Sequence, residues 1–125
     1  MILYDLFMDQ DAPMSKPVNR PYSRYSTEAV VLLGQMIRLG RIQRKLTVAE
    51  LAERAGVSRG LVQRVERGNP GSALGSVFEL AAIVGVQLFA ADQQKLTFSV
   101  EDNQKKLTLL PYSIRSSRKA IKDDF

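Results

Sequence analysis

The 125-residue chain contains no cysteine and no histidine. Without cysteine there is no disulfide framework and no thiolate metal site. Without histidine the commonest general base and most zinc-site designs are lost as well. The carboxylates that remain read as helix caps, ion pairs or solvated charges, so no catalytic constellation can be assembled, and neither an enzyme nor a bound cofactor or metal is expected. Long hydrophobic runs are also missing, and nothing reaches the length needed to span a bilayer. The N-terminal MILYDLFM is apolar but short, has no basic flank and contains Asp5, which excludes a signal peptide. A cytoplasmic protein with no membrane partner is the expectation.

What is present suits one modest core with extensions at each end, since 45% of the residues are hydrophobic and 25% charged. The net charge is +5, and its placement matters more than its size. From Arg38 to Arg67 there are eight basic residues against Glu50, Glu53 and Glu66. This one segment therefore carries an excess equal to that of the whole chain, as a nucleic-acid-binding face would.

The stretch TVAELAERAGVSRGLVQRVERG, Thr47 to Gly68, organises the rest. Thr47 can cap a helix and Glu50 can close a capping box onto it. Leu51, Ala52 and Ala55 share one side of that helix. Gly56 follows where a left-handed residue must stop it. Ser58 then caps a second helix with Leu61, Val62 and Val65 on its apolar side and Gly68 at its end. A small residue at the crossing (Ala52) and a glycine in the turn make a helix-turn-helix. With the apolar set removed, the second helix exposes Arg59, Gln63, Arg64 and Arg67. Arginine can grip guanine O6 and N7 in a fork, and glutamine can do the same for adenine N6 and N7. Arg59, Gln63 and then Arg64 are the candidates for base edges, and Arg67 for phosphate. Gly60 either brings the helix close to the bases or forgoes one contact.

LTVAELAERAGVSRGLVQRVERG resembles the phage-repressor-like helix-turn-helix family, the xenobiotic-response-element class, nearly throughout. The resemblance implies a mainly α, lambda-repressor-like bundle that puts the second helix of the motif into the major groove. It further implies that Arg41 pairs with Glu66 as a partly buried structural ion pair. Relatives commonly carry glutamine after the first cap, where this chain has Val48, so a side-chain phosphate clamp there is lost. The N–H groups of Val48 and its neighbour, at a helix N-terminus, can still serve an anion. The phosphate candidates are thus Thr47, Val48, Ser58, Arg67, Ser72, Lys45 and Arg38.

Residues 1–25 read as a flexible arm broken by Pro13, Pro17 and Pro21, with Ile2, Leu3, Leu6 and Phe7 at helical spacing. Lys16, Arg20 and Arg24 could trail along DNA. The DNA-binding domain spans 26–91. Its first helix is expected from about Thr27 to Lys45, with Val30, Leu33 and Ile37 inward. GNPGS makes a loop in which Ser72 caps a fourth helix, Ala73 to Gly85, that is apolar nearly all round. Such a helix is buried on two sides, and a dimer interface would supply the second. Residues 92–125 are expected to hold a β-hairpin and a basic tail. VQLFA reads as a strand, Lys95–Val100 alternates with Leu96, Phe98 and Val100 on one face, and Leu107–Leu110 is a further short strand.

The GNPGSALG loop, the strand after the fourth helix and the LLPYSIRSSRKAIKDDF ending resemble HipB-type antitoxins. That likeness implies a homodimer on a palindromic double-stranded operator, repressing its own operon and holding a HipA-like Ser/Thr kinase inactive. It would make the protein nucleoid-associated. A stand-alone phage-like repressor with no toxin partner is the other reading. A regulator that senses a small ligand is the weakest, because the core leaves little room for a pocket.

Overall fold

Ile37, Leu51, Val62, Leu80 and Val84 are removed from solvent almost completely and form the centre of the fold. Burying each stabilises the chain by about 1.5–3 kcal/mol relative to exposure. The computed structural model describes residues 21–114. Among them are five α-helices and no strand: α1 Arg24–Gln43, α2 Val48–Ala55, α3 Arg59–Glu66, α4 Leu74–Ile83 and α5 Gln93–Thr108. A 3-10 turn spans Leu88–Ala90. The described chain forms two compact units that divide between Leu88 and Phe89.

In the first unit α2 packs on α3 and α4, and α1 packs on the same two helices. Helix α1 turns Gly34, Ile37 and Gly40 inward. Glycine inside a helix costs about 0.5–1 kcal/mol against alanine, and here both glycines allow a close approach. A Cβ at position 34 would collide with the Val65 carbonyl of α3, and one at position 40 would stand 2.7 Å from the Val84 carbonyl. The two residues let α1 lie directly on its neighbours' backbones.

The bounds of α1 differ from the expected Thr27–Lys45. Ser23 caps it early, its side chain accepting the Ser26 N–H, so Arg24 and Tyr25 are helical rather than part of an arm. At the other end Lys45 takes a left-handed backbone, φ 58°, which stops the helix at Gln43. The expected arm residues Ile2, Leu3, Leu6, Phe7, Lys16 and Arg20 lie outside the described residues. Helix α4 is shorter than Ala73–Gly85, and its N-cap is Ala73, which makes no side-chain bond. Ser72 is therefore not the cap. Its Oγ is buried and has no hydrogen-bond partner. The expected second apolar face of α4 is half-buried at Phe78 and Ile83, while Leu74 is 65% exposed.

The expected β extension is absent among the described residues. VQLFA is a loop ending in the 3-10 turn, where Phe89 and Ala90 both take left-handed backbones. Lys95–Val100 and Leu107 lie in α5, and Leu109 is its C-cap. The alternation from Leu96 to Val100 covers only five residues, too few to fix a period of two. Asp92 decides the outcome by capping a helix, its Oδ1 accepting the Lys95 N–H at 2.9 Å. The Glu101–Lys105 stretch holds mostly good helix formers. Two i,i+4 pairs add to it: Gln93 with Thr97 at 3.3 Å and Asp102 with Lys106 at 3.1 Å. Helix α5 buries none of its own residues.

Candidate nucleic-acid interface

The α2–α3 turn is built from three backbone devices in succession. Thr47 Oγ1 accepts the Glu50 N–H at 3.0 Å, and Glu50 Oε1 accepts the Thr47 N–H at 2.8 Å, which closes the capping box. Gly56 ends α2 in the left-handed region, φ 71°, and its N–H returns to the Ala52 and Glu53 carbonyls. The Val57 N–H also reaches the Ala52 carbonyl, at 3.0 Å. Ser58 Oγ then accepts the Leu61 N–H at 3.1 Å and starts α3. Each device satisfies backbone groups that a helix end leaves open.

Helix α3 divides cleanly by face. Val62 and Val65 are buried and Leu61 packs half-buried against the core. Arg59, Gln63 and Arg64 are exposed on the other side, as is Arg67 at the C-cap. Gly60 leaves room for one of them: a Cβ there would stand 3.3 Å from Arg64 Nη1. The Arg64 guanidinium therefore lies back along the first turn of α3. No other residue type at position 60 would leave that path as open.

The helix is held in place by Arg41. Its Nε donates to Glu66 Oε2 at 2.7 Å and its Nη2 to Glu66 Oε1 at 3.0 Å, a two-pronged pair between α1 and the end of α3. A third bond runs from Nη1 to the Leu46 carbonyl at 3.0 Å, which ties in the loop before α2. The two side chains are only 12% and 7% exposed. The bonds to Glu66 hold the Arg41 pKa above its ordinary value, against the opposing effect of burial, with charge attraction to Glu66 adding to the rise.

The phosphate candidates are differently placed. Arg38, Lys45 and Arg67 are exposed cations. Val48 turns its side chain onto the core, so only its backbone is available to an anion. The hydroxyls of Thr47 and Ser58 are engaged as caps. The buried Ser72 hydroxyl faces away from solvent, and any contact at that point falls to the uncapped N–H groups of α4. Arg44, the C-cap of α1, packs its guanidinium onto Gly85 just past the C-terminal end of α4, where a cation is favoured by the helix dipole. Neither this contact nor the inward Ser72 has a signal in the sequence. The glycines at 34 and 40, six apart and both inward, were the available sign of α1's close packing.

Among the described residues no helix is long and apolar enough to cross a membrane, and no group of His, Cys, Asp or Glu could hold a metal ion. Residues 37–89 match a protein family described as helix-turn-helix. The match runs from the middle of α1 to the 3-10 turn and supports a DNA-binding, transcription-regulating domain of the phage-repressor-like class. No curated protein and no solved structure matches the chain.

Proposed function

We propose that the chain is a sequence-specific repressor that binds a palindromic double-stranded operator as a homodimer. The observation that carries this reading is the exposed face of α3, where Arg59, Gln63 and Arg64 stand together on a helix fixed by the Arg41–Glu66 pair. Arg59 and Gln63 read base edges, Arg64 adds a third contact, and Arg67, Arg38 and Lys45 grip phosphates. The N-terminal N–H groups of α2 and α4 supply further phosphate contacts. One α3 presents only a few side chains to the groove, so two subunits on half-sites about one helical turn apart provide the specificity.

The HipB-like features extend the reading to an antitoxin that represses its own operon and neutralises a HipA-like kinase. The GNPGSALG loop and the LLPY start of the C-terminal stretch support that role, while the strand expected directly after the fourth helix is a loop and a 3-10 turn. Residues 115–125 of that ending lie outside the described residues. Affinity purification from the native host, with co-purifying chains identified by mass spectrometry, separates the two roles. A stoichiometric kinase supports the antitoxin. The protein recovered alone, yet protecting a palindrome in its own promoter, leaves a stand-alone repressor. Failure to protect any promoter sequence over random DNA removes the repressor reading altogether.

A further inference from the structure

The core has room for a small ligand at one edge, beside the reading helix. A crevice of about 120 Å³ opens between α1, the end of α3, the loop that follows it and α4. Val30 and Leu33 of α1, Val65 of α3 and Val77 of α4 form its apolar walls, and Asn69 and Ser72 contribute from the loop. The Asn69 side-chain oxygen is already taken by the Gly71 N–H at 2.7 Å. The Ser72 Oγ is buried with no hydrogen-bond partner, which is unfavourable for a polar group. Among the described residues no charged side chain lines the crevice.

We propose that this crevice is an effector site for a small uncharged molecule, chiefly hydrocarbon, that carries one hydroxyl or carbonyl oxygen. Its size sets that of the ligand. An apolar cavity of about 150 Å³ accepts benzene, so this one takes about five or six non-hydrogen atoms. The walls set the charge. An ion placed here loses its water and meets no counter-charge, which excludes carboxylates, phosphates and amines. Ser72 sets the single polar atom. A serine hydroxyl turns among three staggered positions at little cost, so a ligand oxygen gives it the partner it lacks. A water also satisfies Ser72 but leaves the apolar walls wet, and a hydrocarbon body displaces it favourably. The place of the crevice gives the consequence. The Gly34 backbone lies directly on the Val65 carbonyl, and Glu66, the next residue, is the one that Arg41 holds. A ligand in contact with both α1 and α3 favours the packing that keeps both walls in place. It shifts the equilibrium by its preference for that state, so occupancy strengthens operator binding. This consequence rests on the proposed DNA binding, whereas the site itself does not.

Cyclopentanol has the right size and one hydroxyl, and cyclopentane is the same ring without it. Added to the full chain, cyclopentanol should shift the methyl resonances of Val30, Leu33, Val65 and Val77 saturably at about millimolar concentration. Those of Leu107 and Ile114 should stay in place. Cyclopentane should bind the same site about five- to tenfold more weakly, and Ser72→Ala should remove that margin. Val77→Phe, or Val30→Phe from the α1 wall, should fill the crevice and abolish both responses. A lack of saturable shifts sinks the site, as do shifts that persist in phenylalanine variants with the wild-type helical circular dichroism. A margin that survives Ser72→Ala overturns the assignment of the polar atom. On the promoter fragment that the chain protects, saturating cyclopentanol should raise affinity about fivefold for the wild type and leave Val77→Phe unchanged. Bound cyclopentanol with no change in operator affinity would overturn the effector role. No preference among DNA sequences, with or without the alcohol, removes the DNA reading and that role together, while the resonances still report the site.

Discussion

Arg41 touches three oxygens belonging to two parts of the fold, and it is the residue on which the reading helix depends. Removing its partner leaves a nearly buried charge uncompensated. Glu66→Ala should cost about 3–5 kcal/mol in urea unfolding. The pH behaviour follows from the direction of the Arg41 shift. Its pKa is raised on folding, so its contribution is complete below the unfolded value and is lost only as pH climbs through the folded one, in strong alkali. Between pH 6 and 9 the Arg41 side of the pair should add no slope to stability, which a series of urea midpoints would show. Arg59→Ala should relax the preference at one base pair per half-site by about 1–3 kcal/mol. A loss equal on all sequences, measured by competition binding, would make Arg59 a phosphate contact. Lys45 has two effects that separate by experiment. Its left-handed backbone disfavours a side chain by about 1–2 kcal/mol, so Lys45→Gly should raise the urea midpoint slightly while weakening DNA binding.

At the scale of elements, the glycines distinguish contact from mere tolerance. Gly34→Ala drives a methyl group into the Val65 carbonyl and should destabilise by about 1–3 kcal/mol, shifting α3 as it does so. Gly75→Ala on α4 meets nothing within 4 Å and should stabilise by about 0.5–1 kcal/mol. Thermal melts of the two variants test both statements. The helix-turn-helix was legible in the sequence because Thr47, Glu50, Gly56 and Ser58 each carry a local signal, and all four agree. The exposed set on α3 was legible by subtracting its apolar positions. The Arg41–Glu66 contact spans 25 residues and came from family likeness, not from pattern. Helix α5 was not legible, since β-branched and aromatic residues from Leu96 to Val100 mimic a strand while the deciding cap, Asp92, stands outside the run. Ser72 failed for the opposite reason. It is a good cap by type, but α4 begins one residue later and the hydroxyl turns inward.

For the whole molecule, the proposed grip on DNA has a salt signature. Three phosphate-facing cations per subunit, Arg38, Lys45 and Arg67, give six in a dimer, and log affinity should fall with log salt at a slope of about −5. Lys45→Gly should reduce that slope by about 2, since one contact is lost from each subunit. Deleting residues 112–125 should leave operator affinity nearly unchanged and weaken neutralisation of any kinase partner. Loss of DNA binding with the helical signal intact would place the tail in the DNA grip instead. The division of α3 into two faces has a wider consequence. Val62 and Val65 secure the fold, Glu66 secures the docking, and none of the three side chains proposed to read bases does either. The address this protein recognises and the scaffold that holds it are thus written in separate letters. A duplicated copy could acquire a new operator by exchanging residues 59, 63 and 64, and it would fold as well as its parent on the day it diverged.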